Sequence, residues 1–448
     1  MMKEFKMLSL DQLKNNKGIS MYNLAKKLMP GGTQLLSKRP EMFAPDIWPA
    51  YYNKAKGCRV WDLEDNELID MSIMSVGACI LGYADDEIDE SVIRAIRDGV
   101  NSSLSCTEEV KLAEALIELH PWFGMVRYAR SGGEAMAMAV RIARAHTNRD
   151  IVFFSGYHGW NDWYLAANLN DDSNLDGQLM PGLKPNGVPR GLEGTSIPFE
   201  ASNIESLRKK IKGKEKNIAA IVIEPARGKQ ASLNYLKDLR DLANEIGAVL
   251  LFDEITSGYR MCAGSIHRTY EIYPDMAVLA KSMANGYAMS VVMGTETVMQ
   301  SAQSTFISST NWTDRVGPTA ALATLKKYQR ESVEKHIINV GNKTKDIWNE
   351  AAKLNKLDIN ITGLPSLASF TFNHPNNNML NTVFTIEMLK RGILGFRQFK
   401  PSLAHTEKEL QVYEQAVREV FQLLASNKDE SMVEIKPHHL GFARLTKE

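Results

Sequence analysis

At 448 residues the chain is longer than one simple core usually supports, which points to a large domain and a smaller one. Hydrophobic residues make up 44% and charged residues 24%, near soluble averages, so neither a disordered chain nor a fibrous repeat fits. The 53 basic and 53 acidic side chains cancel, which removes the electrostatic footprint of a nucleic-acid or anionic-membrane binder and leaves small molecules as the default partners.

The chain opens Met1-Met2-Lys3-Glu4-Phe5-Lys6 and has no apolar stretch of signal-peptide length behind it. Residues 9 to 28 place Leu10, Leu13, Met21, Leu24, Ala25 and Leu28 at helical spacing, with a break expected near Gly18 and an end at Pro30-Gly31-Gly32. Short β-like runs around Tyr51-Tyr52 and Arg59-Val60-Trp61, with turn residues at Gly57 and Asp65-Asn66, predict a small antiparallel meander up to Met71. Residues 1–85 are therefore read as a helix and meander belonging to the small domain.

From residue 86 helices and apolar strands alternate. Helices are expected near 86–99, 107–120, 133–146, 233–246 and 319–332. Strands are expected at 124–129, Ile151-Val152-Phe153-Phe154, Ala219-Ala220-Ile221-Val222-Ile223, Ala248-Val249-Leu250-Leu251-Phe252, Met276-Ala277-Val278-Leu279 and Ser290-Val291-Val292-Met293. Strands apolar throughout are buried on both faces, so residues 86–332 are read as an α/β domain with a mainly parallel sheet and helices on both sides. Ligands of such sheets sit beyond the carboxyl ends of the strands. Residues 333–448 read as a further mixed α/β segment, with a strand through Ser366–Phe372, a loop at His374-Pro375-Asn376-Asn377-Asn378 and a helix at 407–425. This segment is expected to pack with the meander. Cys58, Cys79, Cys106 and Cys262 are scattered without a CxxC pair, so neither a zinc knuckle nor a disulfide framework is indicated. No run of about 18 apolar residues occurs, and the cytoplasm is the expected compartment.

Chemistry-bearing residues fall in four groups at strand ends. Arg130-Ser131-Gly132-Gly133-Glu134-Ala135 joins a strand to a helix through small residues whose N–H groups can approach a phosphate, although glycines there also serve plain tight turns. Gly156-Tyr157-His158-Gly159-Trp160 follows the next strand. Tyr157 can stack on a planar ring and His158 can lend a hydrogen bond, or the aromatics can simply close the core. Glu224-Pro225 and Asp253-Glu254 end fully apolar strands, where a carboxylate needs a specific partner. For Asp253 that partner can be a pyridinium nitrogen, a metal or the N-terminus of the next helix. Lys281 closes another apolar strand, where an ammonium either snorkels or loses its charge, as an imine-forming lysine must.

Phosphate cradle, ring stacker, nitrogen partner and imine lysine at strand ends of one sheet form a combination more specific than any member alone. With these residues in view, the chain resembles the class III aminotransferases of fold type I, and most of all the glutamate-1-semialdehyde aminomutase branch. The resemblance runs from Pro30-Gly31-Gly32 to Ala404-His405-Thr406-Glu407. It includes Val60-Trp61-Asp62, Ile69-Asp70, Leu81-Gly82, Ser131-Gly132-Gly133-Glu134-Ala135, Tyr157-His158-Gly159, Glu224-Pro225, Asp253–Arg260 and Ala280-Lys281-Ser282. It implies pyridoxal 5'-phosphate held by Lys281 as a Schiff base, with Lys281 then shuttling the substrate proton. It further implies Asp253 on the ring nitrogen, Glu224 orienting nearby polar groups, Ile255 and Tyr157 on the two ring faces, and Ser131, Gly132 and Gly133 on the phosphate. Thr313, before Pro318, matches the threonine that reaches the phosphate of the partner subunit, which implies a homodimer with shared active sites.

The chain departs from that pattern at three places. Gly133 stands where the family commonly has Thr or Ser, so a side-chain contact to the phosphate is lost. Lys38-Arg39 lies where the aminomutase carries an arginine for the substrate carboxylate. Ala226-Arg227-Gly228-Lys229-Gln230 replaces a small, glycine-containing run, which leaves Arg227 either a substrate-facing group or a solvated charge. The expected activity is amino transfer between an amine or amino-acid donor and a keto or aldehyde acceptor, with intramolecular aminomutase chemistry as the alternative and no metal.

Overall fold

The computed structural model describes residues 7–179, 181–201, 203–227, 230–426 and 435–442. Its strands, in chain order, are β1 (Tyr52–Lys56), β2 (Arg59–Asp62), β3 (Glu67–Met71), β4 (Met125–Ala129), β5 (Ile151–Ser155), β6 (Ser196–Pro198), β7 (Ile218–Ile223), β8 (Val249–Asp253), β9 (Met276–Leu279), β10 (Ser290–Gly294), β11 (Ile359–Thr362), β12 (Ala368–Phe372), β13 (Ile393–Gly395) and β14 (Gln398–Phe399). The chain divides into two compact units, Met1–Asp85 with Lys335–Glu448, and Asp86–Glu334.

In the second unit seven strands form one sheet in the order β4-β10-β9-β8-β7-β5-β6. The strands from β9 to β6 are parallel, while β10 runs antiparallel to both neighbours, pairing Val291 with Leu279 and Ser290 with Ala129. The carboxyl ends of β4, β5, β7, β8 and β9 thus share one edge of the sheet, where β10 also begins. Every residue of β7, β8, β9 and β10 is buried, as expected for strands covered on both faces. Helices supply the cover. Gly132–Thr147 turns Ala135, Met136, Met138, Ala139, Val140, Ile142 and Ala143 inward, while Leu233–Ile246 buries Leu236, Leu239 and Leu242 at helical spacing. Ser232 caps the start of the second helix and Gly247, at φ 64°, closes it in the left-handed conformation.

The first unit holds a four-stranded sheet, β1-β2-β3-β13, and a three-stranded one, β11-β12-β14. The β1–β3 part is the expected antiparallel meander, extended by β13 lying parallel to β3. A core of Trp348, Phe370, Phe372, Phe384 and Phe421 fills the unit. Two local expectations are corrected here. The N-terminal helix breaks at Asn15–Asn16 rather than at Gly18, because the Asn16 side chain accepts the Gly18 N–H at 2.6 Å and so caps a new helix, Lys17–Leu28. The loop expected through Asn378 ends earlier, since Asn377 already starts the helix Asn377–Lys390. None of the four cysteines forms a disulfide among the described residues.

Candidate active site

Lys281 follows β9 by two residues and begins a short 3-10 turn, Lys281–Ala284, with φ 48°. A non-glycine residue in the left-handed region is strained, and such strain persists only where the surroundings impose it. The Lys281 Nζ donates to Thr256 Oγ1 at 2.8 Å. Burial, reinforced by the nearby Arg227 guanidinium, pulls the Lys281 amine down to about 8, against the opposing pull of Glu224 and Asp253. A lysine poised there has a substantial share of neutral, nucleophilic amine near physiological pH.

Asp253 ends β8 across from Val278, three residues before Lys281, and is 2% exposed. Its Oδ2 meets His158 Nδ1 at 2.8 Å, and its Oδ1 accepts the Ile255 N–H at 3.0 Å. The fully buried His158 ring also places Nε2 3.2 Å from the Ser155 carbonyl oxygen, so the ring is fixed at both nitrogens. Glu254, next in sequence, points elsewhere: its carboxylate takes the Ile266 and His267 N–H groups and pairs with His267 Nδ1. The two adjacent carboxylates therefore divide their duties, one toward the sheet edge and one anchoring the following loop.

Glu224 follows β7 directly. Its Oε2 accepts the Tyr157 N–H at 2.9 Å and Arg227 Nη1 at 3.1 Å. Gly156 makes the approach feasible, since a Cβ there would stand 2.6 Å from that same oxygen, and its φ of +119° favours glycine independently. The Tyr157 ring lies 5.4 Å from the Arg227 guanidinium carbon and edge-on to Tyr164.

The turn after β4 forms a cradle. Ser131 caps the helix Gly132–Thr147 through a reciprocal pair with Glu134. The first N–H groups of a helix lack intrahelical acceptors and carry partial positive charge, as an anion requires. A Cβ on Gly132 would meet Ile255 Cδ1 at 2.7 Å, and one on Gly159 would meet the Gly133 Cα at 2.9 Å. Asn161 Nδ2 binds the Gly133 carbonyl at 2.7 Å. At Gly133 a Cβ would stand 3.2 Å from the Trp160 indole, so a side chain there requires that ring to give by a few tenths of an ångström.

Lys281, Asp253, His158, Glu224, Tyr157, Ile255, Ser131, Gly132 and Gly133 thus converge on one edge of a single sheet. Thr313 lies on an adjoining segment. Its hydroxyl donates to the Thr310 carbonyl at 2.8 Å, while Arg130 binds the Trp312 and Asp314 carbonyls at 2.9 Å and the Asp314 carboxylate. Lys38 and Arg39 belong to the first unit, where Lys38 is exposed and Arg39 is 1% exposed. Gly228 and Lys229 lie outside the described residues. Sequence reasoning missed Thr256 as the acceptor for Lys281, and missed Arg260, which is 1% exposed and acts electrostatically on Lys281. Their position inside the Asp253–Arg260 run was the available signal.

The donor set fits the group that the resemblance implies. A glycine cradle that a Cβ would fill suits a phosphate, a buried carboxylate suits a protonated ring nitrogen, and a lysine amine lowered to about 8 suits a carbonyl carbon.

The family described as aminotransferase class-III matches residues 43–426. The 3-aminobutyryl-CoA aminotransferase of Cloacimonas acidaminovorans is 29% identical over 422 residues, covering 91% of this chain and 97% of the relative. The glutamate-1-semialdehyde 2,1-aminomutase of Desulforamulus reducens is 30% identical over 433 residues, covering 91% and 98%. Among solved structures, the FumI protein of Sphingopyxis sp. MTA144, in its pyridoxal-phosphate form, matches with a TM-score of 0.84 at 22% identity over 94% of this chain and 98% of that one. The architecture is that of fold type I.

Proposed function

The chain belongs to the class-III aminotransferases, and on that premise we propose that it uses pyridoxal 5'-phosphate to move an amino group from an amine or amino-acid donor to a keto or aldehyde acceptor. The observation that carries this reading is Lys281: a strained, largely buried lysine with its amine near 8, beside the Asp253–His158 pair. When bound, the cofactor supplies a carbonyl for condensation with amines and a ring that accepts an electron pair.

The roles of the residues follow from their chemistry. Lys281 would hold the cofactor through its neutral amine and, when not so engaged, would carry the proton leaving the substrate carbon. The Asp253 carboxylate keeps a proton on the ring nitrogen, and His158 fixes that carboxylate in position. Tyr157 and Ile255 flank the ring, and Glu224 orients Tyr157 through its backbone N–H. Ser131 Oγ with the Gly132 and Gly133 N–H groups receives the phosphate. Thr313 serves the site of a second copy, so the working form is a homodimer. Among the described residues no helix is long and apolar enough to cross a membrane, and four cysteines without a disulfide favour a reducing compartment such as the cytoplasm.

An intramolecular aminomutase uses the same groups, and the 30% identity to the Desulforamulus reducens enzyme favours keeping it as the second reading. The test begins with the near-visible absorbance of the purified protein with pyridoxal phosphate. With unbound cofactor removed, we expect an imine band in the wild type, distinct from the absorbance of free pyridoxal phosphate, and its loss in Lys281→Ala with the fold intact; a wild type without the imine band overturns the assignment. A panel of amino donors then separates the readings. A transferase converts the band with one substrate and needs an acceptor to restore it, with ping-pong kinetics, whereas a mutase turns over on one substrate alone.

A further inference from the structure

Arg227 sits at an unusual place for a surface charge. Its side chain is 46% exposed, yet it bonds the Glu224 carboxylate, which is only 7% exposed, and lies over the face of Tyr157. Among the described residues only its Nη1 is engaged, so the outward edge of a planar, five-donor group is open. Glu224 does not depend on it alone, because the same oxygen holds the Tyr157 N–H at 2.9 Å.

The charges around Lys281 sharpen the point. Two cations, Arg227 and Arg260, and two carboxylates, Glu224 and Asp253, act on its amine. Asp253 is occupied by His158 and the Ile255 N–H. Glu224 is thus the bonded counter-charge of Arg227, through one nitrogen, while Asp253 acts on it without a bond. A guanidinium gains most from a carboxylate that it can meet with two parallel N–H donors.

We propose that Arg227 is a specificity residue of this site, which takes a carboxylate on the substrate by turning its open edge to it while Glu224 stays bound to Tyr157. The substrate class is therefore carboxylate-bearing amines and their keto or aldehyde counterparts. This rests on the amino-transfer reading for the identity of the site.

Binding can be tested without turnover. Protein loaded with pyridoxal phosphate is titrated by calorimetry with straight-chain carboxylates from acetate to hexanoate, each against its uncharged amide. In the wild type the best carboxylate should bind roughly tenfold or more tighter than its amide. Arg227→Gln should abolish that preference, and Arg227→Lys should keep part of it, since charge remains without the planar fork. Comparing acid with amide inside each variant cancels any general change in the site. A wild type without the preference, or an Arg227→Gln protein that retains it, overturns the proposal. Failure of the amino-transfer reading looks different, as a wild type in which no amine donor alters the near-visible band.

Discussion

Lys281 combines two costs that a folded chain normally avoids, a left-handed backbone and a cation in a low-dielectric surrounding. Its amine titrates near 8 in the fold and near 10.5 when free, so the unfolded chain binds the extra proton between those values and the fold is penalised below them. The penalty is fully present below about pH 8 and disappears as pH rises toward 10.5. Replacing the ammonium with an apolar side chain of similar length removes it. Lys281→Met without cofactor is therefore expected to be more stable than the wild type without cofactor at pH 7, by at most roughly 3 kcal/mol. The gap should close by about pH 10.5. Paired thermal melts across that range check the sign, and a wild type more stable at pH 7 would contradict the buried-cation account. Lys281 stood out in the sequence only in combination, because a lysine at the end of an apolar strand can equally snorkel and it was the glycine turn, Tyr157 and Asp253 at neighbouring strand ends that singled it out. Thr256 did not stand out, since a hydroxyl in a loop has many uses and only the folded turn brings it within 2.8 Å of the amine.

The elements around the site differ in how much their sequences disclose. β7, β8 and β9 were readable because unbroken apolar runs of this length fit strands buried on both faces. The antiparallel direction of β10 was not readable, because an apolar run carries no sign of its polarity. The helix Asn377–Lys390 escaped notice for a related reason: its nine buried residues include Asn381, Thr382 and Thr385, so polar and apolar side chains do not sort onto opposite faces. The cradle turn shows what close packing adds. Gly133 is wedged between the Gly159 backbone and the Trp160 indole, and Trp160 is itself 69% exposed. Gly133→Ser, a change toward the family's usual residue, is expected to weaken cofactor retention here instead of improving it. Trp160→Ala in the same chain should relieve the clash. Cofactor titrations of the two single variants and the double variant give the coupling, and a strictly additive result would mean that Trp160 is not the obstacle.

At the scale of the molecule, local pattern is least informative about long-range pairing. β13, three residues long, lies parallel to β3 with Ile393 opposite Ile69, an alignment that no local motif announces. The same holds for any site that draws on two copies of the chain. Thr313 is exposed and its hydroxyl is turned back to its own turn, while Arg130 locks Trp312 and Asp314 beside the cradle. If Thr313 serves the partner's site, Lys281 and Thr313 of one chain act in different sites. Lys281→Ala abolishes a site outright, and Thr313→Ala should weaken one by about tenfold through a lost hydrogen bond to phosphate. In a mixed dimer of the two variants, one site then carries both lesions and the other carries neither. Mixing the variants by joint unfolding and refolding, or by co-expression with two tags, should yield hybrids with about half the wild-type activity per dimer. Hybrids no more active than the average of their Lys281→Ala and Thr313→Ala parents would assign Thr313 to its own chain's site and remove the reason for requiring a dimer.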